Sequence, residues 1–378
     1  MRAATALSLG LFVLFVASCS VQDTPPQSQI DRLRVLSVQI EGQVDASQHG
    51  CSTNPNNANA STCTFAELAP GQSASLTALV LAPGISTIFD MTVDQTVCMD
   101  DYRELRWDRG GPACPTSPVP VLRFWFFCPP QGATLFEDPC TSTDVLAKPS
   151  LVLSTPGIEP LGAGCGPQTA ALPTSVPVAC VTPSAELFQG LAPDALPVRR
   201  GVLMSVLLLS VIDEDGDYAA GRWSDLINKV DVGSIPAVLT LKRVPVLGQP
   251  ANHNPQIASV FSNSGLTLRN GDRSDTLGHH EDFAVSASAP EDYLRVDLDG
   301  TTSQQTEQLD VAWLSGFGRF DSGHTLINQK NWFDVAKGTG IDLPPPGTGN
   351  YLMPFVAVLR DGRGGESWLV SEVQAPRP

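Results

Sequence analysis

The chain of 378 residues carries 39 acidic and 23 basic side chains, so its formal net charge at pH 7 is −16. This charge argues against binding to nucleic acid and against electrostatic docking on anionic lipid, because both need a positive surface. Charged residues make up only 16% of the chain, which also holds 32 glycines and 32 prolines. Such a composition is typical of a turn-rich β protein rather than a helical one.

The N-terminus resembles a secretion signal. One positive charge, Arg2, precedes an uncharged run from Ala3 to Val16. A helix that crosses a bilayer needs about 20 apolar residues, so this shorter run fits the apolar region of a signal peptide. The segment Val16-Ala17-Ser18-Cys19 resembles the bacterial lipobox. An ordinary signal peptide with a chance cysteine near its end is the alternative.

The lipobox resemblance implies where the mature protein is held. The signal, residues 1–18, would be removed, and Cys19 would carry a diacylglycerol and an amide-linked acyl chain such as palmitate. Three acyl chains are enough for stable anchoring. Ser20 favours sorting to the outer membrane, on a face that the sequence does not specify. Residues 19–32, polar and proline-bearing, would form a lipidated tether.

The remaining cysteines predict disulfide bonds. After Cys19 they are even in number, as expected in a secreted chain: Cys51, Cys63, Cys98, Cys114, Cys128, Cys140, Cys165 and Cys180. Many connectivities are possible, and the spacing favours sequential pairs, 51–63, 98–114, 128–140 and 165–180. A zinc site is the alternative, and it is disfavoured because no C-x-x-C pair exists.

Strand patterns fill the first half of the chain. Apolar residues alternate or run together in 33–42, 73–82, 121–128, 201–213 and 237–246. The segment 121–128 is apolar on both faces apart from Arg123, which predicts a strand in the middle of a sandwich. We therefore predict a first domain over 33–246. The stretch from about 129 to 198, rich in cysteine and proline, would be an insertion outside its sheets.

The second half repeats this pattern without cysteine. Residues 247–256 predict a linker that acts as a hinge, followed by a second domain over 257–376. Its predicted strands are 256–263, 283–289, 309–316, 351–362 and 366–374. Pro354 predicts an edge position or a bulge. Trp125 and Trp313 each lie in mid-strand and are expected in the core, with sugar-stacking surfaces as the alternative.

Several phrases carry a family resemblance. They are "LRVLSVQIEG", "APGQSASLTALVLAPG", "NHNPQI", "LDVAWLSGFGRFDSG" and "VAVLRDGRGGESW". Together with the lipobox they resemble uncharacterised bacterial lipoproteins with immunoglobulin-like domains of the polycystic-kidney-disease or cadherin-like type. The resemblance implies an all-β fold of two tandem immunoglobulin-like β-sandwiches, the first enlarged by a disulfide-stapled insertion. It implies no activity.

Acidic turns are the candidate metal sites. Asp213, Asp215 and Asp217 alternate around Gly216 and could offer several oxygens to calcium. The glycine comes one residue too early for an EF-hand, and no glutamate follows within the loop. A solvated acidic hairpin over 213–221 is the alternative. The turn at 296–300 is of the same kind.

Two polar clusters are candidates for other chemistry. Residues 279–282, His-His-Glu-Asp, would converge on a metal only in a loop, because neighbouring residues of a strand point to opposite faces. Asp321, Ser322 and His324 suggest a hydrolase, although a triad normally draws its members from separate elements. An exposed polar turn is the alternative for the first cluster, and a loop after the Trp313 strand is the alternative for the second.

The sequence thus predicts a lipid-anchored envelope protein that is not an enzyme. It would bind, adhere or scaffold through loops of its sandwiches, with a protein or glycan partner at 129–198 or at 213–221. No cofactor is expected. A calcium-stabilised adhesion protein is the first alternative, and an envelope hydrolase using Ser322 and His324 is the second.

Overall fold

The computed structural model describes residues 28–42, 64–107, 114–128, 140, 148–166, 172–335 and 349–377. The structure is 45% strand and 8% helix, so the predicted all-β fold class is confirmed. None of the helices in these residues is both long and apolar enough to span a bilayer.

The first half of the chain forms two antiparallel sheets. Its elements are β1 (Arg34–Glu41), β2 (Ala74–Leu81), β3 (Gln95–Val97), α1 (Met99–Arg103), β4 (Val119–Cys128), α2 (Pro149–Ser154), β5 (Glu159–Leu161), β6 (Val178–Val181), α3 (Leu196–Arg200), β7 (Val202–Ile212), α4 (Trp223–Asp231) and β8 (Ala237–Val246). One sheet has the order β1-β2-β6. The other has the order β3-β4-β7-β8, with β5 also paired to β4.

Strand β4 is buried on both faces, which explains why its sequence is apolar apart from Arg123. Successive side chains of a strand point to opposite faces of the sheet. Trp125 and Phe127 lie in the main core, whereas Phe124 and Phe126 belong to a second, smaller core. Helix α4 covers this second core, with Leu226 fully buried.

Arg123, the one charged residue of β4, fixes two loops to the sheet. It is 1% exposed, and its guanidinium donates to the carbonyl oxygens of Met91 at 2.7 Å and Pro177 at 3.3 Å. It also donates to the side-chain oxygen of Gln95. Burial lowers the pKa of Arg123 to about 10, so the group still carries its charge at neutral pH.

The predicted insertion over 129–198 lies only partly outside the sheets. Within it, β5 pairs with β4 and β6 pairs with β2. The prediction that the whole stretch is an excursion is therefore wrong. These two strands are three and four residues long, too short to show a period amid proline and small residues.

Three of the four predicted disulfide pairs are present, namely Cys98–Cys114, Cys128–Cys140 and Cys165–Cys180. Their sequence separations are 16, 12 and 15 residues. In the chain-entropy model, loops of this length give about 3 kcal/mol of stabilisation each. Cys19, Cys51 and Cys63 lie outside the described residues.

The second half forms two five-stranded sheets and a separate hairpin. Its strands are β9 (Ile257–Ser262), β10 (Thr267–Leu268), β11 (Arg273–Thr276), β12 (His280–Ala287), β13 (Asp292–Val296), β14 (Thr302–Thr306), β15 (Asp310–Ser315), β16 (Arg319–Phe320), β17 (His324–Leu326), β18 (Asn331–Asp334), β19 (Tyr351–Arg360) and β20 (Glu366–Ala375). The sheet orders are β10-β9-β12-β18-β16 and β11-β20-β19-β15-β17, and β13 pairs with β14 alone. Among these strands only β11 and β20 run parallel.

Aromatic side chains join these two sheets face to face as a β-sandwich. The ring of Phe355 on β19 lies 4.7 Å from that of Phe283 on β12 and 6.2 Å from that of Phe333 on β18, between centroids. Trp313 and Trp125 are 1% and 0% exposed. Both tryptophans are therefore core residues as predicted, and neither is a sugar-stacking surface. The assignment of two immunoglobulin-like domains stays a prediction.

The sheet that contains β19 is buried on both faces. Phe355 and Ala357 point to one face, Val356 and Val358 to the other, and all four are 0% exposed. Strand β1 of the first half packs against β20 of this sheet. One continuous core therefore includes residues from both halves.

The second part of the segment predicted as a hinge, 252–256, packs against this core. Asn252 and Asn254 are 0% and 4% exposed. The side-chain amide of Asn254 donates to the carbonyl of Ile40 at 2.6 Å and accepts the N–H of Glu366 at 3.2 Å. These bonds hold the connection between the two halves in place. The domain boundary that was placed on it stays a prediction.

Two smaller expectations also change. Residues 28–32, expected at the end of the tether, belong to the fold: Gln29 bridges to Ser315, and Ile30 is 0% exposed. Pro354 lies on an internal strand without a bulge. The β15 ladder begins one residue later, at Phe355, so the missing N–H of the proline breaks no strand pairing.

Candidate functional site

The loop between β19 and β20 is organised by one buried carboxylate. Asp361, 3% exposed, accepts the backbone N–H groups of Arg363, Gly364 and Gly365 at 2.7, 3.0 and 3.0 Å. Its other oxygen accepts the side-chain N–H of Asn252 at 2.8 Å. Burial raises the pKa of Asp361, and these hydrogen bonds offset that effect only in part.

Arg363, at the tip of this loop, bridges two further buried carboxylates. Its guanidinium lies 3.0 Å from an oxygen of Glu67 and 3.0 Å from an oxygen of Glu307. The second oxygen of Glu67 accepts the N–H groups of Ala251 and Asn252 at 2.8 and 3.0 Å. Burial raises the pKa of Glu307 despite the nearby guanidinium.

We call Glu67, Asn252, Glu307, Asp361 and Arg363 the junction cluster. Its members come from positions up to 296 residues apart, and a single guanidinium pairs with two of its three carboxylates. The cluster fixes the β19–β20 loop against residues 251–254, because Asp361 and Glu67 both bond to Asn252 and Arg363 bonds to Glu67.

A second ionic group centres on Glu366, at the start of β20. One oxygen of Glu366 lies 2.8 Å from the Lys242 ammonium and 3.5 Å from the Arg360 guanidinium. The other oxygen accepts the N–H of Val38 at 3.0 Å and the hydroxyl of Ser37. Burial by itself raises the pKa of Glu366, but the two cations and these hydrogen bonds outweigh it, so the pKa is lowered. A groove of about 450 Å³ opens here between β1 and β8.

A larger groove, of about 680 Å³, is lined in part by Arg363 of this loop. We call it the β13 groove. It is lined by Glu67, Arg199, Arg200, Pro245, Leu247, Tyr293, Leu294, Arg295, Val296, Asp297, Leu298, Asp299 and Arg363. Two members of the junction cluster, Glu67 and Arg363, therefore belong to the lining of this groove.

The lining of the β13 groove combines apolar side chains with arginines and carboxylates. Leu294 and Leu298 are 59% and 71% exposed. Arg199 and Arg200 end α3, and both are exposed. The Arg363 guanidinium covers the Tyr293 ring at 4.3 Å, so that aromatic face is not open to a ligand.

The aspartates predicted as a calcium site have partners within the chain. Asp213 accepts the N–H groups of Asp217 and Tyr218 at 2.9 and 3.0 Å. Asp217 pairs with Arg222 at 2.6 Å and with Lys229 at 2.5 Å, and Asp215 pairs with Lys229 at 2.5 Å. We call Asp213, Asp215, Asp217, Arg222 and Lys229 the loop cluster.

The predicted hairpin over 213–221 is wrong. The loop leads into α4 and not directly into a strand, because Leu226 and Ile227 of that helix cover the second core. Hydrogen bonds from Lys229 and Arg222 lower the pKa of Asp217. Within the described ranges, no three Asp, Glu, His or Cys side chains are arranged to hold a metal ion.

The other predicted clusters do not converge. The Ser322 hydroxyl donates to the backbone carbonyl of His324 at 2.5 Å, while the His324 ring bonds to Asp310 at 2.7 Å. The serine therefore bonds to the backbone of the histidine rather than to its ring. In the 279–282 segment, His280 bonds to Asp334 and the buried Glu281 accepts the N–H of Gly278.

Sequence patterns did not single out the junction cluster or the β13 groove. The partners of Arg363 lie 56 and 296 residues away, and no local period links them. The signals that were available are the glycine-rich turn "RDGRGGE" and the asparagines of "NHNP". A scan against protein-family models and a search of curated proteins both found no match to this chain, so the family resemblance stays a prediction.

Proposed function

We propose that this chain is a lipid-anchored protein of the bacterial cell envelope, most simply of its outer membrane, that works as a non-enzymatic binding or scaffolding module. The β13 groove is the observation that supports binding. It exposes Leu294 and Leu298 beside arginines, and these two leucines offer a partner apolar surface to cover. The ionic bonds of Arg363 hold the groove in one shape before any partner arrives, which reduces the entropy lost on binding.

The structure gives the hydrolase alternative little support. A serine nucleophile needs a base within hydrogen-bond reach of its hydroxyl. Ser322 instead donates to a backbone carbonyl, and its segment lies at the β17 edge rather than in the β13 groove. Adhesion stiffened by calcium at Asp213, Asp215 and Asp217 would first have to displace Lys229 and Arg222.

Cross-linking in cells tests the binding site. A photo-cross-linking amino acid is placed at position 298 in the full chain, with position 232 as the matched control. Val232 is 77% exposed and lies outside the groove. We expect a discrete cross-linked product from position 298 and none from position 232. The same pattern at both positions would contradict a binding function for the groove.

Labelling tests the anchor separately. Cells fed radioactive palmitate should label the wild-type chain, and Cys19→Ser should abolish the label and release the protein from the membrane fraction. Label retained in the Cys19→Ser variant would contradict anchoring at this residue.

A further inference from the structure

A second groove lies where the two halves of the chain meet. It is the groove of about 450 Å³ that opens beside Glu366, and we call it the β8 groove. Its lining comes from β1, β7 and β8 of the first half and from residues between 360 and 366 of the second. Its volume falls within the range of about 300–1,000 Å³ that is usual for small-molecule sites, which favour the junctions between parts of a protein.

The β8 groove is too narrow for another strand. Parts of β1 lie within 8 Å of β8, whereas the two neighbours of an inserted strand stand about 9.5 Å apart. The edge of β1 is also occupied, because the carbonyl of Leu36 accepts the Arg360 guanidinium at 2.8 Å and the N–H of Val38 donates to Glu366 at 3.0 Å. The groove therefore suits a small molecule rather than an extended chain.

Apolar side chains line the groove on both strands. Leu36 of β1 and Leu241 of β8 are half-buried. Leu203 of β7 is 47% exposed and faces Pro245 across the ladder, so it lies diagonally beside Arg243 on the same face of the sheet. An aliphatic chain that covered these leucines would remove apolar surface from water.

Most of the charges in the β8 groove balance one another. Glu366 is the one carboxylate among the described residues that line the groove, and Lys242 and Arg360 share it. The buried Asp361 lies close enough to Lys242 to interact with its charge. These two cations are therefore balanced by two carboxylates.

One positive charge is left in excess. Of the two further arginines in the lining, Arg363 is balanced by Glu67 and Glu307 of the junction cluster. Arg243 is half-buried and makes no ion pair with any residue in the described part of the chain. A ligand of opposite charge interacts more strongly with a half-buried group than with one on an open surface.

We propose that the β8 groove binds a small amphiphile, namely a short aliphatic chain that ends in one carboxylate. The carboxylate pairs with Arg243, whose planar guanidinium can donate to both of its oxygens. The chain lies along Leu203 and Leu241. A doubly charged phosphate would need a second unpaired cation, and an amine would be repelled by Arg243. The groove shares only Pro245 and Arg363 with the β13 groove, so this inference goes beyond the proposed function.

Calorimetry with matched ligands tests the chemistry. Octanoate, octanol and octylammonium carry the same aliphatic chain and differ in the charge of the head group. Each is titrated into the purified full-length chain below the concentration at which it self-associates. We expect octanoate to bind at one site per chain, at least tenfold more tightly than the other two ligands. Equal affinity for the three ligands, or no binding of octanoate, would overturn the proposal.

Substitution of the arginine tests where the carboxylate lies. Arg243→Met keeps much of the side-chain length but removes the charge, and it should weaken octanoate at least fivefold. Arg269→Met is the matched control and should leave the affinity unchanged, because Arg269 is exposed, makes no ion pair within the described residues and lies outside the groove. Equal affinity in the two variants would overturn the assignment of Arg243.

A second variant tests the groove without touching the arginine. Leu203→Asp places a negative charge beside Arg243 and should abolish octanoate binding, whereas Val232→Asp, outside the groove, should not change it. Because Leu203 is half exposed, this variant should fold even if Arg243→Met does not. Octanoate that still binds to Leu203→Asp with the affinity of the wild type would lie elsewhere on the chain, and the inference would be wrong. The cross-linking test at position 298 is independent of all these outcomes.

Discussion

The junction cluster and the loop cluster both surround carboxylates with cations, yet they differ in depth and in reach. In the junction cluster, the Arg363 side chain is 16% exposed, and those of Glu67 and Glu307 are 5% and 3% exposed. In the loop cluster, Asp217 is covered, but its partners Arg222 and Lys229 are 49% and 31% exposed.

This difference decides what each cluster contributes to the fold. Removing one partner of a buried ion pair leaves an uncompensated charge in a poorly solvated site, which is costly. Around a half-exposed pair, water and salt replace the lost partner. The junction cluster also joins distant segments of the chain, whereas the ion pairs of the loop cluster join residues at most 14 positions apart. Similar ion pairs therefore join the two halves of the chain in the junction cluster but stabilise only a single loop in the loop cluster.

Removing the junction cation should have the largest effect. Arg363→Met keeps much of the side-chain volume but leaves Glu67 and Glu307 without a counter-ion. We expect the free energy of unfolding in urea at pH 7 to fall by about 3–5 kcal/mol. Arg222→Met is the matched control in the loop cluster and should cost far less. Similar losses for the two variants would contradict the comparison.

Removing the carboxylate at the centre of the second ionic group should rank next. In Glu366→Gln, Lys242 is left without its ion pair, and we expect a loss of about 1.5–3 kcal/mol at pH 7. The pKa of Glu366 is lowered in the fold, so its contribution is full above the unfolded value of about 4.3 and disappears as pH falls through the folded value. The wild type and the variant should therefore begin to converge in stability as the pH falls below about 4.3, and the difference should disappear once the pH passes the folded value. A constant difference across that range would contradict the assignment.

In the same pH series, the carboxylates of the junction cluster should change the free energy of unfolding in the opposite direction to Glu366. The pKa values of Asp361 and Glu307 are raised, so these groups bind more protons in the folded state than in the unfolded one. Their contribution to stability falls as pH rises above their unfolded values. Because Glu366→Gln leaves this component in place, subtracting the two curves isolates Glu366.

A steric change in the same loop should cost less than either charge change. A Cβ at Gly365 would lie 2.2 Å from a carboxylate oxygen of Asp361 and 2.9 Å from the Pro255 ring. We expect Gly365→Ala to lower the free energy of unfolding by about 1–3 kcal/mol, since it pushes Asp361 away from the N–H groups it accepts. Gly164, which has open space around its Cβ direction, is the control, and Gly164→Ala should be close to neutral.

The sequence predicted what depends on local periods and missed what depends on distant partners. The strand β4, the buried Trp125 and Trp313 and three disulfide pairs follow from patterns within a few residues. The short strand β6 escaped because four residues carry no period, and α4 escaped because the preceding "DEDGD" turn reads as a hairpin. The role of Arg363 could not be predicted, because a charged residue in a glycine-rich turn is normally solvated. Only the fold brings Glu67 and Glu307 to it.

The smallest expected effect separates the clusters by their response to salt. Lys229→Met removes the cation shared by Asp215 and Asp217, and Arg222 remains to pair with Asp217. At 1 M NaCl the Debye length shrinks to about 3 Å, so interactions between exposed charges are screened, whereas those in a buried site are screened much less. We expect the small difference between Lys229→Met and the wild type at low salt to vanish at 1 M NaCl, while the loss in Arg363→Met persists. Unfolding in urea at both salt concentrations measures this. A loss in Arg363→Met that fades with salt as fully as that in Lys229→Met would mean that water reaches the junction cluster, and the two clusters would then differ in sequence distance alone.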